Sequence, residues 1–241
     1  MIGYVYRSVY SLKVLIFLLL VLSAPISSKD KVTLGILVFP PHSRIDELTN
    51  KCVGGFITIT EKVLAEYNIK VDVICAPPIR IYRMLENADL DFTINIKSTQ
   101  ALPKDIVFID TAFSTLKLDL YSHKNLHSMK SVAAIRGFSY HGFRTKLMKE
   151  GYDFFDLPTS ISAIQLFLKK RTNYLISYRA PVDYYNEEKK LNIKDGISVL
   201  PLIEIPTYYA ISGQSPHLEK LKAAFDDYTF RHKLTFFDQV N

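Results

Sequence analysis

KVDVICAPPIRIYRMLENADLDFTI, residues 70–94, changes its period twice. Lys70 to Cys75 reads as a strand, Ile79 to Asn87 as a short helix, and Asp91 to Ile96 as a second strand. Between the first two stands Pro77-Pro78. Neither proline can donate to a ladder, and each forces an extended path, so the strand must stop there. Strand, helix and strand at this spacing imply a right-handed crossover and a parallel pair. That reading makes the chain α/β.

The same event occurs one strand earlier. In KVTLGILVFPPHS, Lys31 to Ser43, the buried strand Val32 to Val38 runs into Pro40-Pro41. A helix from Gly54 to Glu66 follows, with Phe56, Ile59, Val63 and Leu64 on one face and Glu61, Lys62 and Glu66 on the other. Ligands of an open parallel sheet bind beyond the carboxyl ends of its strands. Phe39, His42 and the helix-opening Arg80 therefore stand where a ligand would collect, with Asn95 near the end of the third strand. The two Pro-Pro turns then read as the wall of a cleft, although each could equally do no more than end an edge strand. Arg80 could offer a fork of donors to a carboxylate or phosphate, or pair with Asp91 or Glu86 inside its own unit.

Downstream, Ile106 to Asp110 and the strand-like Thr115 to Ser122 lead to a polar stretch, HKNLHSMK, 123–130. The alternation then restarts. Ser131–Ile135, Phe154–Leu157 and Tyr174–Ser177 read as strands; Tyr140–Glu150, Ser160–Lys170 and Pro181–Lys190 read as helices. Two extended segments, Ile197–Ile205 and Tyr208–Ser212, precede an amphipathic helix from His217 to His232. Two small α/β units in series are expected, with no internal repeat. Ser139 opens the Tyr140 helix, as its cap or as a cleft residue, and Tyr140, Tyr178 and Tyr208 stand at strand ends or crossings, where they could stack on a ligand.

The N-terminus is a separate matter. Arg7 and Lys13 precede an apolar run from Val14 to Leu22, and small residues follow. This is the pattern of a cleaved secretory signal covering residues 1–28, with cleavage between Ser23 and Ser28, or of an uncleaved N-terminal anchor. The run is well short of the ~20 apolar residues of a membrane-spanning helix. Without residues 1–28 the 30 Lys and Arg lose Arg7 and Lys13, leaving 28 against 24 Asp and Glu, a net +4. Charge this mild and scattered gives no support for nucleic acid as a partner. Cys52 and Cys75 both lie in the exported part, on loops expected at the same carboxyl edge of the sheet, so a disulfide is expected; two separate buried thiols are the other reading.

The signal segment, GILVFPPHS (35–43), CVGGF (52–56), APPIRIYRMLENADLDFTI (76–94) and IDTAF (109–113) together resemble the family 3 extracellular solute-binding proteins. The likeness covers nearly all of the exported chain and is diffuse in the second half, where IRGFSYHGF (135–143) and LKKRTNYLIS (168–177) carry it. It implies the type II periplasmic binding protein fold: two α/β lobes, each a mostly parallel sheet flanked by helices, joined by two hinge crossings. Lobe 1 would span 29–118 plus the return 210–241, and lobe 2 would span 119–209. The implied function is a monomeric periplasmic protein that closes on a small polar, anionic solute for ABC-type import or signalling, with an inner-membrane permease or a sensor as partner.

The sequence departs from the family at two points. Amino-acid-binding members carry Thr-x-x-Arg after the third strand, whereas KSTQALPKD (97–105) has no arginine. A late Gly-Arg-x-Asp is replaced by Lys170-Arg171-Thr172-Asn173. Some enzymes, such as cyclohexadienyl dehydratases, share the fold, so a secreted lyase is the alternative. No catalytic set emerges: Gly137 to Gly142 contains Ser139 and His141 without the spacing of a nucleophile elbow, and no P-loop or G-x-G-x-x-G is present. His123 and His127 suit a metal only on a helix, and their stretch reads as loop. No metal or cofactor is expected.

Overall fold

Local sequence periods place the elements, and long-range pairing arranges them. The structure, a computed structural model, describes residues 30–124, 129–191 and 196–240. The signal segment and His127 lie outside the described residues. The strands are β1 (Asp30–Ile36), β2 (Arg44–Ile45), β3 (Cys52–Val53), β4 (Ile69–Cys75), β5 (Phe92–Asn95) and β6 (Val107–Phe108), then β7 (Ser114–His123), β8 (Ser131–Ile135), β9 (Asp153–Leu157), β10 (Tyr174–Tyr178) and β11 (Ile197–Ile211). The helices are α1 (Gly55–Ala65), α2 (Pro78–Glu86), α3 (Phe143–Lys149), α4 (Ser160–Leu168), α5 (Arg179–Glu188) and α6 (Leu218–His232).

Strand order is β4-β1-β5-β11-β7-β10-β8-β9, with β6 also on β11. β1 pairs parallel with β5, and β8 pairs parallel with both β9 and β10. Between these two parallel groups lies an antiparallel ribbon, β7 on β11, running from Ser114↔Thr207 to His123↔Ile197. β11 then continues onto β5 through Tyr208–Ile211, and β7 onto β10 through Leu118–Ser122. Two long strands thus cross between two α/β units.

The sequence reads Ile197–Ile205 and Tyr208–Ser212 as separate extended segments, and the structure joins them through Pro206 in one strand, β11. Among the described residues, β11 up to Thr207 has β7 on one side and no strand partner on the other; β5 joins only at Tyr208. A proline is tolerated in such a strand because its missing donor can face the unpaired edge. The register does slip between Pro201 and Ile203.

α3 also begins later than its sequence suggests, at Phe143 rather than Tyr140. Tyr140 and His141 take left-handed backbone angles, φ 50° and 55°, and Gly142 follows at 87°. The turn is held from both ends. Ile135 N–H donates to the Tyr140 hydroxyl at 2.6 Å, and Arg144 donates to the carbonyls of Phe138 and Ile135 and to Asp156. Ser139 therefore does not cap α3 with its side chain; Gly142 holds that position.

One apolar cluster lies beneath β1, β4, β5 and α1, and α6 packs into it through Leu221, Ala224, Phe225 and Tyr228. A second cluster joins β7, β8, β10 and the Phe138–Tyr140 turn. Across the crossing, buried Asp119 of β7 accepts from Arg179 Nε and Nη2 at 2.8 and 2.9 Å and from the Tyr121 hydroxyl at 3.2 Å, which anchors α5 to the ribbon. Among the described residues no helix is long and apolar enough to cross a membrane.

Candidate functional site

The loop after β1 is closed on itself. Phe39 N–H donates to Ser43 O at 2.8 Å and Ser43 N–H to Phe39 O at 3.1 Å, while Ser43 Oγ donates to Leu37 O at 2.6 Å. Its far side is pinned to α1, where Phe56 N–H donates to His42 O at 3.2 Å. Gly54 makes this approach possible. Its φ is 143°, and a Cβ there would lie 2.2 Å from His42 O. The loop so held presents Phe39 edge-on to Tyr178 at 5.5 Å.

A second wall comes from the end of β5. Asn95 Oδ1 accepts from Ile96 N–H at 2.8 Å and from Thr99 Oγ1 at 2.7 Å, and its Nδ2 donates to the Tyr82 hydroxyl at 3.3 Å. Tyr82 reaches Asn95 because Ile81, Tyr82 and Leu85 form the buried face of α2. The opposite wall is the turn Gly137 to Tyr140 together with Tyr178 at the end of β10. Thr207 and Leu116, from the crossing strands, form the floor. Together they enclose a cavity of about 260 Å³.

Five of the residues read from the sequence line this cavity: Phe39, Asn95, Ser139, Tyr140 and Tyr178. His42, Arg80 and Tyr208 do not. His42 is turned onto Phe56, ring centroids 4.4 Å apart and planes 13° from parallel. Arg80 is exposed on the first turn of α2, beside the inward-facing Tyr82. It makes no ion pair with Asp91 or Glu86; Asp91 instead accepts from Thr33 N–H and Ser215 Oγ. Tyr208 alternates with the cavity-lining Thr207 and so takes the other face of β11, where Lys97 Nζ lies 4.3 Å from its ring centroid. Side-chain alternation along the strand decides between the two.

Sequence reasoning passed over Tyr82, Thr99, Phe138 and Thr207. The helical period of α2 could have found Tyr82, since it shares a face with Ile81 and Leu85. Nothing local marks the others. The second Pro-Pro turn, Pro77-Pro78, lines a neighbouring cavity of about 210 Å³ with Phe39 and Phe138.

Burial also sets protonation behaviour in the site and beside it. Desolvation lowers the pKa of His42 and raises those of Tyr82, Tyr140 and Tyr178. For the histidine, the unfolded chain takes up the proton first as pH falls through about 6.5. The stability tied to neutral His42 is therefore present above that pH and is lost as pH falls towards the folded value. His42→Phe, which keeps a ring against Phe56, is expected to flatten this part of the acid limb in chemical unfolding measured between about pH 7.5 and 5. An unchanged slope would show that His42 protonation is not the cause.

No family model matches the chain, and no curated protein matches it either. Solved structures do. An ancestral arginine-binding protein bound to arginine is 20% identical over 87% of this chain and 95% of that one, with a TM-score of 0.69. A histidine kinase sensor domain with similarity to periplasmic binding proteins is 16% identical over 85% and 91%, also at 0.69. An ABC uptake transporter substrate-binding protein from Streptococcus pneumoniae with bound histidine is 16% identical over 87% and 91%, at 0.68. Likeness at these identities is likeness of fold. The chain has the type II periplasmic binding protein fold. Both α/β units and both crossing strands of that fold are accounted for above, and the cavity lies between the units.

Proposed function

We propose that the chain is an extracytoplasmic solute-binding protein whose two lobes close on a small molecule in the cavity. The observation that carries this reading is the composition of the walls. Elements of both α/β units and both crossing strands contribute, so a change of angle between the lobes would assemble or open the site. The lobes proposed are 29–118 with 210–241, and 119–209; the packing of α6 beside β1 and β5 supports the return of the C-terminal segment to the first lobe. Export to the periplasm through the signal segment 1–28, and delivery to a permease or a sensor, complete the proposal. A transporter's binding protein and a kinase sensor domain both stand among the similar folds, and both roles need the same closure.

A lyase on this scaffold would need an acid or base in the cleft. Among the described residues no Asp, Glu, His or Cys lines the cavity, which favours binding over turnover. A thermal-shift screen of small metabolites against the exported protein, with product analysis of every hit, tests the reading. At least one solute is expected to raise the melting temperature and to be recovered unchanged. Conversion of the hit would point to the enzyme, and a screen without any hit would remove the solute-binding reading.

A further inference from the structure

The cavity between the lobes has a feature that its architecture does not require: it is lined without charge. Among the described residues no Lys, Arg, Asp, Glu or His contributes to its wall. Arg80, the cation that suggested an anionic solute, lies outside it. Most of the wall is instead hydrocarbon and aromatic ring, including Ile36, Ile94, Ile96, Phe39, Phe138 and Tyr140. An ionised carboxylate or ammonium enclosed here would lose its hydration and find no opposite side-chain charge, a loss that proteins ordinarily avoid by pairing or neutralising the group.

Ser139 and Gln100 of the wall are exposed, and the Tyr140 hydroxyl oxygen accepts from Ile135 N–H; the remaining polar side chains can be accounted for one by one. Ser43 Oγ donates to Leu37 O, Thr99 Oγ1 to Asn95, and Thr207 Oγ1 to Ser114 O, so these hydroxyl protons are committed within the protein. Asn95 Oδ1 already accepts two hydrogen bonds. Tyr82 is different. Its oxygen accepts from Asn95 Nδ2, which leaves its own O–H free to donate. Tyr178, on the opposite wall, is 4% exposed, and its hydroxyl has no hydrogen-bond partner among the described residues. Burial raises the pKa of both phenols, so both remain protonated donors at neutral pH.

Building on the solute-binding reading, we propose that the cleft selects a small uncharged solute, apolar over most of its surface, whose hydrogen-bond acceptor is held between the Tyr82 and Tyr178 hydroxyls. One phenol comes from α2 of the first unit and the other from β10 of the second. A single acceptor atom would thus bridge the lobes, and closure would be coupled to recognition of that atom.

Isothermal titration of the exported protein with benzamide, acetophenone, benzoate, L-arginine and L-glutamate tests the proposal. Benzamide and benzoate are nearly the same shape and differ in charge. Benzamide or acetophenone is expected to bind, with benzoate at least about tenfold weaker and both amino acids silent. Tyr82→Phe and Tyr178→Phe are each expected to weaken the neutral probe by about fivefold to tenfold, with the unliganded melting temperature unchanged for Tyr178→Phe and lowered for Tyr82→Phe, which leaves Asn95 Nδ2 without its acceptor. The proposal is overturned if benzoate or either amino acid binds more tightly than the neutral probes. It also falls if no neutral probe binds, or if both phenylalanine variants bind like the parent. Binding of a charged solute would leave the solute-binding reading standing while removing this ligand class; silence towards these probes and throughout the metabolite screen would remove both.

Discussion

Replacing Phe225 with alanine is expected to cost about 4 kcal/mol of unfolding free energy. Its ring is fully buried and stacks on Tyr209 at 3.9 Å with planes 14° from parallel. Phe237 stands edge-on at 5.6 Å and Phe92 is tilted at 5.8 Å. With Leu221, Ala224 and Tyr228, Phe225 is therefore a contact through which the C-terminal α6 closes the core over β5 and β11. Its neighbours are rings already packed on one another, so they cannot collapse into the space an alanine would leave, and the cavity penalty adds to the lost transfer energy. Phe230, on the same helix, is 84% exposed and serves as the control. Phe230→Ala should change stability by no more than about 0.5 kcal/mol. Urea unfolding followed by circular dichroism measures both. Equal effects from the two substitutions would show that α6 does not close this core.

Loss of the Cys52–Cys75 bridge is expected to cost about 3 kcal/mol in the chain-entropy account. The two residues are 23 apart in sequence with Cα atoms at 5.7 Å, and they link β3 to the end of β4. Cys52 leads into Gly54 and α1, while Cys75 leads into Pro77-Pro78 and α2. The crosslink therefore ties the loop that opens α1 to the loop that opens α2. Cys52→Ser with Cys75→Ser should lower the urea midpoint, and reductant should do the same to the parent protein but not to the double variant. A parent protein indifferent to reductant, with two alkylatable thiols by mass spectrometry, would contradict the assignment.

Much of the fold is legible in short windows of the chain. The period changes across 70–94, the proline pairs after β1 and β4, and the apolar stripe of α6 are local signals, and each specifies an element or its end without reference to the remainder. The placement of Cys52 and Cys75 at one sheet edge follows as well, because a right-handed β–α–β unit leaves few alternatives. The short β2–β3 hairpin and the late start of α3 were not legible. The hairpin consists of two-residue strands, too short for any period. The α3 boundary depends on Arg144 and Tyr140 reaching back to carbonyl and amide groups near Ile135.

The site divides along the same line. Sequence determined that aromatic and polar residues would gather beyond the strand ends, and Phe39, Asn95, Ser139, Tyr140 and Tyr178 do line the cavity. Only the tertiary structure decided that Thr207 faces the cavity and Tyr208 does not, that His42 spends its ring on Phe56, and that Tyr82 enters where Arg80 stays in water. Which of two neighbouring side chains faces a cavity depends on strand register and helix rotation, and those are set by contacts between residues far apart in the chain: β11 on β5 and β7, and Asn95 on Tyr82. A strand's period can say that its side chains alternate, but only its partners determine which face looks into the cleft.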